Sequence, residues 1–187
     1  MKKPRNFAFI DGQNFYLSLK SSGWSVDYRK FRKFLGDKYG IVKAYYFIGE
    51  DKNQKTVHKS LQKSGFEVAF KKMVIYKKRV DGKIQTFQKG NIDSDLIMRV
   101  VREVEQDSFD SAMLISGDGD FLPLLDWLEE KGKLFKIGIP SVKDKSHLLD
   151  RYQKYFFFLE FLKKKIAYEK KTDLIEDETS TTSVLHD

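Results

Sequence analysis

Short apolar runs alternate with amphipathic helical patterns along most of this chain. Phe7-Ala8-Phe9-Ile10 is uninterrupted and stops at Asp11, which reads as a buried strand. A short helical segment from Phe15 to Leu19 follows. Asp27 then stands as N-cap to a helix with Phe31, Phe34 and Leu35 on one face, closed by Gly40. Ile41 to Ile48 reads as a second strand, Asn53 to Ser64 as a polar helix ended by Gly65, and Phe66 to Tyr76 contains a third strand. Asp81-Gly82, between Arg79-Val80 and Lys83-Ile84, predicts a hairpin. After Lys89-Gly90-Asn91, the residues Ile92, Leu96, Ile97, Val100, Val101 and Val104 fall on one helical stripe. Ala112 to Ser116 reads as a strand, Phe121 to Lys131 as a helix, and Leu134 to Ile139 as another strand stopped by Pro140. Ser146 to Arg151 and Glu160 to Lys170 read as helical, and Tyr155 to Phe158 suits a strand or a helix equally.

Strands alternating with helices predict an α/β fold with a mainly parallel central sheet covered on both faces. From Thr172 the composition turns acidic and rich in Ser and Thr. The expected organisation is one domain over residues 1–170 and a disordered acidic tail over 171–187.

Composition narrows the chemistry. The 187 residues are 41% hydrophobic and 14% aromatic, with sixteen Phe, which suits a folded domain. There is no cysteine, so disulfides, zinc-thiolate sites and cysteine nucleophiles are excluded. His58, His147 and His186 show no ligand spacing. The apolar run near the start is too short for a signal peptide, and no run approaches the roughly 18 residues of a membrane span. A soluble, cytoplasmic protein without membrane contact is the expectation. Net charge is +8, and its distribution says more than its size. Residues 71–89 carry Lys71, Lys72, Lys77, Lys78, Arg79, Lys83 and Lys89 against Asp81 alone, a net +6. Such clustering suits a nucleic-acid backbone.

Acids mark the strand ends. Asp11 closes the first strand, and Ser116-Gly117-Asp118-Gly119-Asp120-Phe121 follows a later one. In open α/β sheets ligands bind beyond the carboxyl ends of strands. The plainer alternative makes Asp118 a turn residue and Asp120 an N-cap, with Pro123 in the first helical turn. The helix after Gly90 offers Asp93 and Asp95. With Asp93 at zero, Leu96, Ile97, Val100 and Val104 fall at about −60°, +40°, −20° and +20°, and Asp95 at about 200°. Asp93 therefore shares the apolar stripe while Asp95 turns toward solvent. Asp93 either caps the helix or faces a metal, and the second reading is preferred. Carboxylates without His or Cys form a hard-oxygen set suited to Mg²⁺ or Mn²⁺. Such an ion activates water and stabilises a leaving oxygen with no protein nucleophile.

Three motifs, in this order and spacing, carry a family resemblance. They are Phe9-Ile10-Asp11-Gly12-Gln13-Asn14, Lys89-Gly90-Asn91-Ile92-Asp93-Ser94-Asp95-Leu96, and Ser116-Gly117-Asp118-Gly119-Asp120-Phe121. Together they resemble the NYN domain, in its LabA-like branch, of the PIN-like nuclease superfamily. The likeness covers roughly residues 5–160. It implies a three-layer α/β/α PIN-like fold and a metal-dependent ribonuclease site. Asp11, Asp93, Asp118 and Asp120 match the metal-binding, catalytic acids, and Asn14 and Ser116 match assisting positions. Phe15 stands where the family often has Leu, which touches packing only.

The reading favoured is a Mg²⁺- or Mn²⁺-dependent endoribonuclease acting on single-stranded RNA, with Lys77, Lys78, Arg79 and Lys89 holding the RNA backbone. The alternative is a catalytically silent RNA- or protein-binding module of the same fold. An aspartyl-phosphate phosphatase is disfavoured because Asp11-Gly12-Gln13 lacks a second acid two residues on, and no Gly-rich phosphate loop is present. RNA target, oligomeric state and protein partner are open at this level.

Overall fold

The computed structural model describes residues 4–49, 55–71, 74–80, 82–89 and 92–169, with the backbone only at 74–76 and 86–89. Its elements are β1 (Asn6–Asp11), α1 (Gly12–Ser21), α2 (Tyr28–Tyr39), β2 (Ile41–Gly49), α3 (Lys55–Lys63), β3 (Glu67–Lys71), β4 (Val74–Val80), β5 (Lys83–Lys89), α4 (Ile92–Glu105), β6 (Ser111–Ile115), α5 (Leu122–Glu130), β7 (Leu134–Ile139), β8 (Phe156–Phe158) and α6 (Lys163–Ile166). Six strands pair in parallel in the order β3–β2–β1–β6–β7–β8. β4 and β5 form a separate antiparallel hairpin in which Val80 faces Lys83, as the Asp81-Gly82 signal predicts; Asp81 itself lies outside the described residues. The architecture is the expected three-layer α/β/α, PIN-like fold.

The two faces of the sheet are read off the central strands. On β1, Phe7 and Phe9 enter one core with Ile92, Leu96 and Val100 of α4. Ala8 and Ile10 enter the other core with Phe15 of α1 and Phe31 and Leu35 of α2. On β6, Ala112 and Leu114 share the first core, and Met113 and Ile115 the second. Successive side chains point to opposite faces, so a strand buried on both sides is apolar throughout. This accounts for the uninterrupted runs at 7–10 and 112–115.

Several elements differ from the sequence expectation. α1 starts three residues earlier than the apolar pattern, because Asp11 caps it by accepting from the N–H groups of Gln13 and Asn14. Gly12 makes that start feasible: a Cβ there would lie 2.4 Å from the Phe47 carbonyl oxygen and from the Tyr46 ring. The expected helix at 146–151 is a 3₁₀ helix over His147–Tyr155, with Ser146 as N-cap. The ambiguous 155–158 run resolves as the edge strand β8 beside β7. The expected helix from Glu160 to Lys170 breaks into a 3₁₀ turn, Glu160–Leu162, and the single turn of α6. It stops because Ala167 bridges to Val26 and the Tyr168 N–H donates to the Ser25 carbonyl at 2.9 Å. The expected domain end at 170 and the tail at 171–187 lie outside the described residues, as do Asn53, Gln54, Lys72, Gly90 and Asn91. Among the described residues no helix is long and apolar enough to cross a membrane.

Candidate functional site

β1 and β6 are neighbours at the centre of the sheet, yet β1 leads on to β2 on one side and β6 to β7 on the other. A crevice opens at the carboxyl end where connections diverge in this way. Asp11 is the last residue of β1, and Ser116, Gly117 and Asp118 continue from β6. α4 precedes the parallel strand β6, so its first turn, with Asp93, starts at the same edge. Asp11 also continues the alternation of Phe7 and Phe9, the side of the sheet on which α4 packs.

Hydrogen bonds tie the strand ends together. Asp11 is 4% exposed. One of its oxygens caps α1, and the other accepts from Ser116 Oγ at 3.1 Å. The same hydroxyl accepts from the Asp118 N–H at 3.1 Å. Asn14 Oδ1 accepts from the Gly117 N–H at 2.9 Å, so the first turn of α1 clamps the loop after β6. Asp118 Oδ1 accepts from the Asp120 N–H at 2.9 Å and caps a 3₁₀ turn over Gly119–Phe121. The plainer alternative, in which Asp120 is the N-cap, is corrected on that point: Asp118 caps, α5 has no side-chain cap, and Asp120 is exposed. The reason is the inserted 3₁₀ turn, which moves the first unpaired N–H groups two residues back.

The acids sense one another. Burial pushes the Asp11 carboxyl up to about 6, and the negative charges of Asp93 and Asp118 add to that, while the bonds from Asn14 and Ser116 oppose it. Asp93, half-buried, is raised first by burial and then by the charges of Asp118 and Asp120. All four acids thus belong to one electrostatic group. Asp95 stays half-exposed, as the helical wheel suggests, and also reaches Lys71 on β3 at 2.7 Å. β3 ends beside that helix start, which a one-dimensional wheel cannot know.

Sequence reasoning missed part of the site wall. The Ser146 N–H donates to the Gly117 carbonyl at 2.9 Å, and Ser146 Oγ lies 2.5 Å from where a Gly119 Cβ would stand. Ser21 Oγ donates to Asp144 at 2.6 Å, anchoring that loop to the end of α1. The glycines of Ser116-Gly117-Asp118-Gly119 were the signal that something approaches closely, but not what. The basic hairpin β4–β5 is inserted between β3 and α4, at the edge that carries the acids. Lys77, Lys78, Arg79 and Lys83 are exposed on it. The Lys89 side chain lies outside the described residues.

Among the described residues, no group of three or more His, Cys, Asp or Glu side chains is placed to hold a metal ion. By donor chemistry alone, the acids suit one kind of ion. Their oxygens are hard, and two of their carboxyls are raised first by burial and further by neighbouring negative charges, the part a cation would relieve. Mg²⁺ commonly takes one or two carboxylates and keeps several waters.

Comparison with known proteins agrees with the geometry. The family model of the NYN domain matches residues 7–160. The chain is 29% identical over 134 residues to the low amplitude and bright protein LabA of Synechococcus elongatus, covering 69% of this chain and 70% of that one. A crystal structure of a Vibrio parahaemolyticus protein of unknown function superposes with a TM-score of 0.66 at 23% identity, over 90% of this chain and all of that one.

Proposed function

From the premise that the chain belongs to the NYN domain family, of the LabA-like kind, we propose that it is a divalent-metal-dependent endoribonuclease. NYN domains are nuclease-type modules, which supports cleavage of nucleic acid in general. The observation that carries the finer reading is the placement of Asp11, Asp93, Asp118 and Asp120 at the carboxyl ends of β1 and β6, with Asp11 and Asp93 raised first by burial and then by negative charges of the same set. A binding-only module has no use for acids that repel phosphate.

Asp11, Asp93, Asp118 and Asp120 would hold Mg²⁺ or Mn²⁺. When bound, the ion supplies a Lewis acid that makes water nucleophilic at neutral pH and offsets charge on the phosphodiester. The chain's own residues do the rest. Ser116 and Asn14 position Asp11 and the Asp118 turn through the bonds described above. Lys77, Lys78 and Arg79, with Lys89, offer a cationic track for the backbone of single-stranded RNA, leading from β3 to the start of α4. The module spans residues 1–170 in this reading, and the acidic tail at 171–187 lies outside it.

The test is incubation with a mixed single-stranded RNA pool in Mn²⁺, Mg²⁺ or EDTA, beside Asp118→Asn. Cleavage with metal, lost in EDTA and in the variant, is expected. Undiminished cleavage by Asp118→Asn in EDTA overturns the metal mechanism. RNA binding without cleavage in any condition leaves the catalytically silent module.

A further inference from the structure

Two open cavities lie side by side against α1, α2 and α3. The first, of about 510 Å³, is walled by Phe15, Tyr16, Leu19, Trp24, Tyr28 and Val57. The second, of about 740 Å³, shares Val26, Tyr28 and Val57 with it and runs on between α2 and α3 past Lys59 and Lys63 to Tyr168. Both volumes fall within the roughly 300–1,000 Å³ of ligand sites.

The walls combine aromatic faces with cations. Tyr16 is 52% exposed, although its neighbour Phe15 is buried and stacks on Phe31 at 5.3 Å. Lys20 Nζ stands 5.8 Å from the Tyr16 ring centre. Lys20, Arg29, Lys59 and Lys63 line the pair of cavities against one carboxylate, Asp27. That carboxylate is engaged in capping α2, accepting from the N–H groups of Arg29 and Lys30. The groove therefore fits an occupant that is anionic and also offers flat apolar faces.

The groove lies over the sheet face opposite α4, with buried rings between it and the acids. Tyr28 lines both cavities, is hydrogen-bonded to Tyr46, and meets its ring edge-on at 5.9 Å. Tyr46 in turn packs against Gly12, the residue after Asp11. Two rings separate the groove from the buried acid.

We propose that this groove holds unpaired nucleotides of the RNA strand presented to the acid cluster, with bases stacking on Tyr16 and Trp24 and phosphates meeting Lys20, Arg29, Lys59 and Lys63. This rests on the ribonuclease reading for the identity of the strand. Base faces are available to a protein only where the strand is unpaired, and stacking on aromatics tolerates any sequence. An apolar peptide would leave the four cations unanswered. The groove thus selects single strands over duplex.

Trp24 and Trp127 are the two tryptophans of the chain, so Trp127→Phe leaves Trp24 as the sole tryptophan, read by tryptophan-selective excitation. Full-length Trp127→Phe protein is titrated in EDTA with a 12-mer oligouridylate, with a 12-base-pair duplex, and with an acidic peptide. Saturable quenching by the oligouridylate alone is expected. Adding Tyr16→Ala should weaken binding roughly 5- to 150-fold, the usual loss for one stacked base. Lys59→Glu with Lys63→Glu, on the exposed face of α3, tests the cationic rim without touching the core. Unchanged affinity in both variants, or quenching by the duplex or the peptide in place of the single strand, overturns the proposal. RNA cleavage with a silent Trp24 sinks the groove and leaves the ribonuclease standing. Quenching without cleavage does the reverse.

Discussion

Ser116 Oγ donates to Asp11 Oδ2 at 3.1 Å and accepts from the Asp118 N–H at the same distance, so one buried hydroxyl couples the acid ending β1 to the acid turn beyond β6. Ser116→Ala leaves a buried carboxylate oxygen without that donor and an N–H without an acceptor. Each such loss costs about 1–3 kcal/mol. Thermal melts at pH 7 should show a drop of several degrees, and the Asp11 carboxyl should rise further above about 6. A melting temperature within about 1 °C of wild type would mean the hydroxyl carries no such coupling.

Metal-free protein should lose stability as pH rises. The folded Asp11 carboxyl is raised to about 6 from an ordinary 3.8, so between these values the folded state binds more protons than the unfolded one. The contribution is fully present below about pH 4, declines toward pH 6 and is spent above it, amounting to on the order of 3 kcal/mol. Denaturant melts of wild type and Asp11→Asn across pH 4–7 measure it. A constant difference between the two would contradict the raised carboxyl.

Asp118→Asn keeps an oxygen for the Asp120 N–H while removing one charge from the group that raises Asp93. In EDTA the variant should melt higher than wild type. Excess Mg²⁺ should reverse the order by binding the folded wild type. For a dissociation constant of about 1 mM, about 10 mM Mg²⁺ adds roughly 1.4 kcal/mol, a rise of a few degrees. Equal gains in both proteins would show that no ion is bound through Asp118.

Asp93 and Asp95 should separate in cleavage kinetics. Asp93 belongs to the acid group, and Asp95 is paired with Lys71. Asp93→Asn should lower the rate by at least roughly 10- to 100-fold, the loss that even an outer-shell partner of a metal site carries. Asp95→Asn should stay within about fivefold, the scale of a half-exposed ion pair. Comparable losses on folded proteins would reject the assignment.

Replacing Lys77, Lys78 and Arg79 together by Ala should weaken RNA binding and flatten its salt dependence. Three phosphate contacts would take about 2 units from the log–log slope, at roughly 0.7 each. An unchanged slope would mark the hairpin as a solvated surface.

The local signals were legible in the linear chain wherever the cause is local. Apolar runs at 7–10 and 112–115 specify strands buried on both faces, and Asp27 and Gly40 bracket α2 because capping involves neighbours only. Asp81-Gly82 specifies the hairpin for the same reason. The places of the four acids, beyond two strand ends and at a helix start, were legible from the same local patterns. Where a competing long-range contact sets the outcome, the chain pattern failed. The segment after Glu160 is a fair helix by composition, yet it is cut short because Ala167 pairs with Val26 across the sequence. Asp120 looked like a cap until the 3₁₀ turn placed Asp118 there.

The sequence by itself determined the α/β alternation, the parallel sheet, the hairpin and the places of the acids at element ends, because periodicity, caps and turn chemistry act over a few residues. Only the tertiary structure decided which acids share a field, that Asp95 goes to Lys71, that Ser116 and Asn14 lock the two central loops, and that aromatic and basic residues of α1, α2 and α3 line one groove. Those relations join residues tens to more than a hundred positions apart. They exist only once the sheet order brings β1 beside β6 and the crossover returns α4 to the same edge.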